Sequence, residues 1–473
     1  MTSESHQRLR YVAADYVATN LAWLAFNAVR YHLLWTRNEG FGSLHDYLLS
    51  KVVLAGQIIF PLVMLGIYLM SGYYNNVFRK SRIDELLTTV TTALIGALLI
   101  FFAVLVNDMS DNRTLDYQLV GILFGLLFIM VYVPRWLITS ATSKSIRQGT
   151  LGFDTLIIGT DEAAAVFAQR ESVMRSMGFK VRGHVRIGDE DVHPSLATGL
   201  TVDLADLPDA VHEHHIQRLI VMPRSQGRGA TLELVNNLFA LELPIYVMPD
   251  ARQLLLTPSR TQNIVGDPLI DISRSEMPQS TLNIKRVIDI TASLAVLVVI
   301  SPVLAILAAA VKLESPGPAL YRQRRIGYHK RPFNIIKFRT MRTDAEENGP
   351  ALSHGDNDPR ITRIGRFLRK YRLDELPQFW NVVKGEMSIV GPRPEREFYI
   401  KQIMKQAPYY TLLHQVRPGI TSWGMVRYGY ATSVDQMVER LRYDILYLEN
   451  ISLAVDMKII LYTINTVIKG KGK

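Results

Sequence analysis

No cysteine occurs anywhere in the 473 residues. That absence excludes disulfides, thiolate metal sites and cysteine nucleophiles, and it suits a chain whose soluble parts face a reducing compartment. The first residues, Met-Thr-Ser-Glu-Ser-His-Gln-Arg, carry no short apolar core followed by a small-residue cleavage site, so no cleaved signal peptide is expected. No nucleic-acid motif accompanies the formal net charge of +10. An anionic membrane surface and an anionic substrate explain that charge better, and no nucleic acid is expected as a partner.

Dinucleotide glycines are missing too. Thr155 to Gly159 reads as a buried strand and Asp161 to Arg175 as a helix rich in alanine, with Gly159 followed by Thr160, Asp161 and Glu162 at the turn. A pyrophosphate needs glycine where the backbone approaches it, and two carboxylates there repel it. Further strands at 218–222 and 245–248, with a helix at 231–241 between them, suggest a small parallel, Rossmann-like α/β unit. Its expected role is structural, oligomerising or regulatory rather than nucleotide binding.

What is abundant is apolar sequence, 48% of the chain. Stretches at about 11–35, 52–73, 86–106 and 118–142 each approach the roughly 20 residues that cross a hydrocarbon core. Asp15, Asn20, Asn27 and Arg30 make the first the weakest. Arg79, Lys80 and Arg82 follow the second stretch, Asp108, Asp111 and Asp116 the third, and Arg135, Lys144 and Arg147 close the fourth. The positive-inside rule then puts both ends of a four-helix bundle in the cytoplasm.

A fifth apolar stretch, 287–311, differs. Ser301-Pro302 interrupts its centre, and Lys285, Arg286 and Lys312 make both ends basic. A span would separate those charges, whereas a hairpin keeps them on one side. The expectation is a re-entrant helix-break-helix, broken at Ser301 and Pro302, with Ser301 serving a carbonyl freed at the break.

The densest chemistry lies at 360–394. Adjacent carboxylates, Asp374 and Glu375, follow a basic stretch of Arg360, Arg363, Arg366, Arg369, Lys370 and Arg372, and precede the turn Gly391-Pro392-Arg393-Pro394. Carboxylates among cations fit a phosphorylated substrate, with one carboxylate free to act as nucleophile or metal ligand. The cations should favour the ionised form of Asp374. Lys337 and Arg339, two apart on a candidate strand, would share a face and clamp a phosphate. Arg363 and Arg366 suit a helix lying on anionic lipid. His354 is read as a loop residue, and Tyr428, Tyr430, Tyr443, Tyr447 and Tyr462 as packing or interface residues rather than substrate contacts.

Seven ordered motifs then resemble one family. They are Lys285-Arg286-Val287-Ile288-Asp289, Ser301-Pro302, Glu314-Ser315-Pro316-Gly317-Pro318, Lys337-Phe338-Arg339-Thr340-Met341, Leu373-Asp374-Glu375-Leu376-Pro377, Gly391-Pro392-Arg393-Pro394 and Arg417-Pro418-Gly419-Ile420-Thr421. Over about 283–470 the chain resembles the bacterial sugar transferases, the monotopic phosphoglycosyl transferases that act on polyprenyl phosphate, and its layout resembles the family's long form. The resemblance implies transfer of a hexose 1-phosphate from a UDP-sugar, UDP-glucose first, to undecaprenyl phosphate. UDP-galactose and N-acetylated sugars come second. It implies Asp374 as nucleophile through an aspartyl phospho-sugar, Glu375 as its partner, and Mg²⁺ held by Asp374 or Glu375. Lys337, Arg339, Arg369, Arg393 and Arg417 would bind phosphate or substrate. The expected architecture is a membrane α-helical bundle plus α/β: four transmembrane helices (1–145), a Rossmann-like cytoplasmic domain (150–265), and a re-entrant membrane hairpin with an α-rich catalytic domain (283–473). Its expected place is the bacterial inner membrane, in contact with membrane lipid and with the catalytic part on the cytoplasmic face. A homo-oligomer is compatible with that layout. A nucleotide-sugar hydrolase and an inactive scaffold are the competing readings.

Overall fold

The structure is a computed structural model. It describes residues 3–34, 42–75, 77–78, 80, 82–105, 113–188, 191–196, 200–222, 234, 238–241, 243–248, 269–272, 278–343, 345 and 358–469. His354, Arg79, Asp108, Asp111 and most of the helix expected at 231–241 lie outside them. The chain divides into two compact units, one of Met1–Asp154, Ala168–Val181 and Pro278–Asn283, the other of Thr155–Phe167, Arg182–Met277 and Ile284–Lys473.

The first unit is a helical bundle of α1 (Ser3–Leu33), α2 (Lys51–Met70), α3 (Arg82–Ile100) and α4 (Arg113–Arg147). Four helices of the described chain are long and apolar enough to cross a membrane: 51–70, 82–103, 114–147 and 279–314. These are not the four expected, because α1 falls short and the fifth stretch qualifies. Its polar residues explain why α1 fails on composition. Fully buried Asp15 pairs with fully buried Arg135 of α4 at 2.7 Å, and Tyr74 donates to Asp15 at 2.8 Å. Arg135 also donates to Thr89 of α3 at 3.0 Å. Groups that lower the helix's hydropathy are thus the ones that join it to its neighbours.

A six-stranded sheet, most of whose residues belong to the second unit, runs in the order β3-β2-β1-β4-β5-β6. Its strands are β1 (Phe153–Ile158), β2 (Phe179–Arg186), β3 (Leu200–Asp203), β4 (Arg218–Val221), β5 (Ile245–Val247) and β6 (Ile270–Asp271). β2 pairs parallel with β3, and β4 pairs parallel with both β1 and β5. β6 adds an antiparallel edge that the sequence pattern did not suggest. The single helix expected at 161–175 is two, Glu162–Ala168 and Glu171–Ser176. Asp161 accepts from the Ala164 amide at 3.0 Å. Its carboxylate therefore takes a helix-start position where a phosphate would otherwise bind.

Helix α5 (Gln279–Glu314) is continuous through Pro302, so the expected break at Ser301-Pro302 is absent. Proline at 302 cannot donate to the carbonyl four residues back, that of Val298. The Ser301 hydroxyl donates to the Val298 carbonyl instead, at 2.8 Å. The apolar middle of α5 is bare, with Val298 and Val299 about three-quarters exposed at 73% and 76%. Its ends are not. Lys285 reaches Asp456 at 2.6 Å and Ser388 donates to Asp289 at 2.6 Å. Toward the other end, Leu304, Leu307, Ala308 and Val311 pack with Phe338 and Leu368.

The rest of this unit surrounds a hairpin, β7 (Leu320–Ile326) with β8 (Pro332–Phe338), and a parallel pair, β9 (Ser388–Val390) with β10 (Gly419–Thr421). Helices α6 (Arg363–Lys370), α7 (Gln378–Lys384), α8 (Glu397–Gln406), α9 (Val434–Glu449) and α10 (Leu453–Ile468) cover them. Thr362 caps α6, accepting from Gly365 at 2.9 Å.

Candidate active site

Two local features present the carboxylates. Asn381 of α7, fully buried, accepts from the Ile336 amide at 3.0 Å and donates to the Asn334 carbonyl at 2.8 Å. This ties α7 to the edge of β8. Between α6 and α7 the chain makes a 3-10 turn, Leu373–Glu375, entered through Arg372 at φ +51°. A left-handed conformation costs an L-residue roughly 1 kcal/mol, and such strain gathers at functional sites.

The turn buries both carboxylates, Asp374 at 8% and Glu375 at 7% exposure. Their surroundings differ. Arg393 donates to Glu375 Oε1 at 3.4 Å, and Arg372 lies 3.8 Å from Oε2. Among the described residues no ion pair reaches Asp374. Burial pushes the Asp374 carboxyl up to about 6, helped by the charge of Glu375 and opposed by Lys337 and Arg369. The neighbouring cations favour its ionised form, as expected, but burial and the charge of Glu375 outweigh them. Burial also acts against an ionised Glu375, but Arg393, Arg372 and Lys337 outweigh it and hold that carboxyl below the usual range. Burial brings the Lys337 ammonium down to about 8, with Arg325, Arg369 and Arg393 adding repulsion and Asp374 opposing.

Of the residues singled out in the sequence, Asp374, Glu375, Lys337, Arg369 and Arg393 therefore converge. Arg369 also donates to Thr340 at 3.0 Å. Arg339 goes elsewhere. It lies beyond the end of β8 at Phe338, so the strand's alternation does not carry to it. Its guanidinium donates to the carbonyls of Ser315 at 2.7 Å and Pro316 at 3.0 Å, just past the C-terminus of α5. Lys337 and Arg339 thus clamp no common group. Arg417 donates to the Gly385 carbonyl at 3.0 Å and lies over the Tyr328 ring at 4.9 Å, away from the carboxylates. Arg360 is taken up by Asp358 at 2.7 Å, whereas Arg363, Arg366 and Phe367 stay exposed.

Two participants were not assigned from sequence. Arg372 was read only as one charge in a run. Tyr430 was read as packing, but its ring lies 5.3 Å from the Arg372 guanidinium and 5.4 Å from that of Arg393. Its position after Gly429, with φ +96°, was the available turn signal.

Residues 280–470 match the family described as bacterial sugar transferase. A UDP-N-acetylgalactosamine-undecaprenyl-phosphate N-acetylgalactosaminephosphotransferase of Aeromonas hydrophila is 43% identical over 189 residues, 40% of this chain and 44% of that protein. The match thus spans less than half of that relative's length. A UDP-glucose:undecaprenyl-phosphate glucose-1-phosphate transferase of Klebsiella pneumoniae is 29% identical over 416 residues, 86% of this chain and 88% of that protein. A protein of the same description from Caulobacter vibrioides is 43% identical over 183 residues, 38% of this chain and 68% of the relative. The buried Asp-Glu pair, its cations and these matches agree: the chain belongs to the bacterial sugar transferase family.

Proposed function

We propose that the chain is a phosphotransferase that moves a hexose 1-phosphate from a UDP-sugar to undecaprenyl phosphate, starting a polysaccharide repeat unit on its lipid carrier. UDP-glucose is the favoured donor, following the Klebsiella and Caulobacter relatives, and the Aeromonas relative makes an N-acetylated donor the alternative. The unequal environment of the two carboxylates is the observation that carries the mechanism. Asp374 has a raised pKa and no ion pair among the described residues. At neutral pH it is mainly ionised, and it is more basic than an ordinary carboxylate, which suits a nucleophile. Glu375 is held by Arg393 and Arg372 and is the poorer nucleophile of the two.

Asp374 attacks the sugar-proximal phosphorus. The bond from that phosphorus to the bridging oxygen breaks, and UMP leaves with the electron pair. The polyprenyl phosphate oxygen then attacks the phosphorus of the aspartyl phospho-sugar and restores the carboxylate. Lys337, Arg369 and Arg393 are the cations that would meet the diphosphate. No group of three or more potential metal ligands occurs among the described residues. Mg²⁺ needs only one or two carboxylates when substrate phosphates complete its shell, so Asp374 and Glu375 fit it. Bound there, it would neutralise diphosphate charge.

Helix α5 serves this reaction as an unbroken helix embedded in the inner membrane and held from the cytoplasmic side. Lys285 and Asp289 on one side of the bare apolar middle, and Val311 on the other, bind the same compact unit. We propose a three-part division at 1–145, 150–265 and 283–473, with the Rossmann-like sheet in a structural or regulatory part. Incubating the enzyme with UDP-glucose and magnesium, without polyprenyl phosphate, should leave a hexose-phosphate adduct on the Asp374 peptide by mass spectrometry. Asp374→Asn should lose both adduct and product. Lipid-linked product from Asp374→Asn at more than a few per cent of wild type would rule out the covalent route.

A further inference from the structure

The turn that carries Arg393 has an unusual problem of support. Pro392 and Pro394 have no amide hydrogens, so at those positions the chain has only carbonyl oxygens with which to be held. Neighbours must supply the donors. The Gly419 amide donates to the Pro392 carbonyl at 2.9 Å, and the Gly391 amide donates to Thr421 at 3.0 Å. Gly391 and Gly419 approach so closely that a Cβ on either would meet the other's backbone. This secures the near side of Arg393.

A side chain secures the far side. Arg325 Nη1 donates to the Pro394 carbonyl at 3.0 Å and lies 3.3 Å from Glu395 Oε2. Glu395 is itself gripped by Arg440 of α9 at 2.6 Å, and its carbonyl accepts from the Ile326 amide at 3.1 Å. The remaining donors of Arg325, Nε and Nη2, take Gln323 Oε1 at 3.1 and 2.7 Å. One guanidinium fork therefore joins β7 to the turn, and Glu395 joins the turn to α9. The β7–β8 register sets Tyr321 opposite Lys337, so Arg325, Gln323, Tyr321 and Lys337 share one face of the hairpin. The residue that holds the turn thus stands on the same rigid hairpin as Lys337.

We infer that Arg325 is the positioning residue of this site: through the Pro394 carbonyl and Glu395 it fixes Arg393 against Glu375, in register with Lys337. Arg325 need not touch substrate. Lysine cannot replace it, because a single ammonium cannot hold Gln323, Pro394 and Glu395 together from one fork. The inference rests on the proposed reaction only for its kinetic consequence, and it was not visible in the sequence, where Arg325 is one of three arginines in Arg322–Arg325 and Glu395 merely follows the motif.

Two measurements on the full chain in nanodiscs test it. Removing Arg325 leaves Glu395 paired with Arg440, so Arg325→Gln should fold; Arg325→Lys, which keeps the charge, is the control should it not. The first readout needs no activity. Amide hydrogen exchange across 391–396 should speed at least tenfold in Arg325→Gln and by an intermediate factor in Arg325→Lys, with α9 unchanged. Unchanged exchange at the turn overturns the inference. The second is a double-mutant cycle on kcat with UDP-glucose. If Arg325 acts through Arg393, Arg325→Gln should cost about 10- to 100-fold alone and almost nothing further in an Arg393→Gln background. Multiplying losses overturn it. Wild type without UMP release counts against the proposed reaction instead, and the exchange readout still decides the positioning role.

Discussion

At the scale of single residues, the site is defined by what each charge is left facing. Arg372 combines two roles that substitution can separate, a left-handed backbone and a guanidinium 3.8 Å from Glu375. Arg372→Gly and Arg372→Ala both lose the guanidinium, and only alanine keeps the backbone penalty. The glycine variant should be the more stable by about 1 kcal/mol, read as a higher Tm, with activity equally impaired in both. Equal melting temperatures would remove the strain argument. The residue types of this site were legible in the sequence: an acidic pair, a run of cations and a proline-locked arginine. Their destinations were not. Arg339 and Arg369 look equivalent on paper, yet one binds carbonyls at the end of α5 and the other stays near Asp374. Which of two adjacent carboxylates is paired depends on Arg393 and Arg372 meeting at one oxygen pair, a tertiary fact with no local signal.

At the scale of elements, the strand that carries Lys337, the buried strand after the bundle and the long apolar helix followed from periodicity and length. Misreadings arose where a side chain replaced a backbone partner. Pro302 signals a break, but Ser301 supplies the missing donor to Val298 and the helix continues. The 3-10 segment Pro408–Gln415 offers a test in pH. Tyr409 and Leu412 pack on the core of the six-stranded sheet, while Tyr410 and Leu413 join the core of α8 and α9. Within it His414 is buried, and burial with nearby Lys330 brings its pKa down to about 4. An unfolded histidine titrates near 6.5. Between those values the unfolded chain binds a proton that the folded one refuses, so stability from this residue is complete above about pH 6.5 and is lost as pH falls toward 4. Asp374 and Asp444, both raised to about 6, act with the opposite sign over part of this range. The informative quantity is therefore the difference between variants. Wild type should lose more Tm than His414→Phe between pH 6.5 and 4.5, and parallel curves would refute the assignment.

At the scale of the whole molecule, the two basic ends of α5 and the unit they bind make a topological statement. Tags placed before Lys285 and after Gly317 should report the same, cytoplasmic, side; a tag after Gly317 on the outer face would mean that α5 spans the bilayer. The clamping of α5 has a further mechanical meaning. Successive residues of a helix point about 100° apart. Turning α5 by one residue would pull Lys285 from Asp456 at one end and Val311 from Phe338 and Leu368 near the other. These contacts oppose rotation of the helix, so in the proposed membrane placement its depth would be set by protein geometry rather than by the lipid. A helix held only by its hydrophobic length answers a thicker or thinner bilayer by tilting. In the proposed membrane placement, α5 would instead oblige the lipid to accommodate a fixed insertion depth, and the carbonyls of Ser315 and Pro316 held by Arg339 would keep the same elevation from one membrane composition to the next.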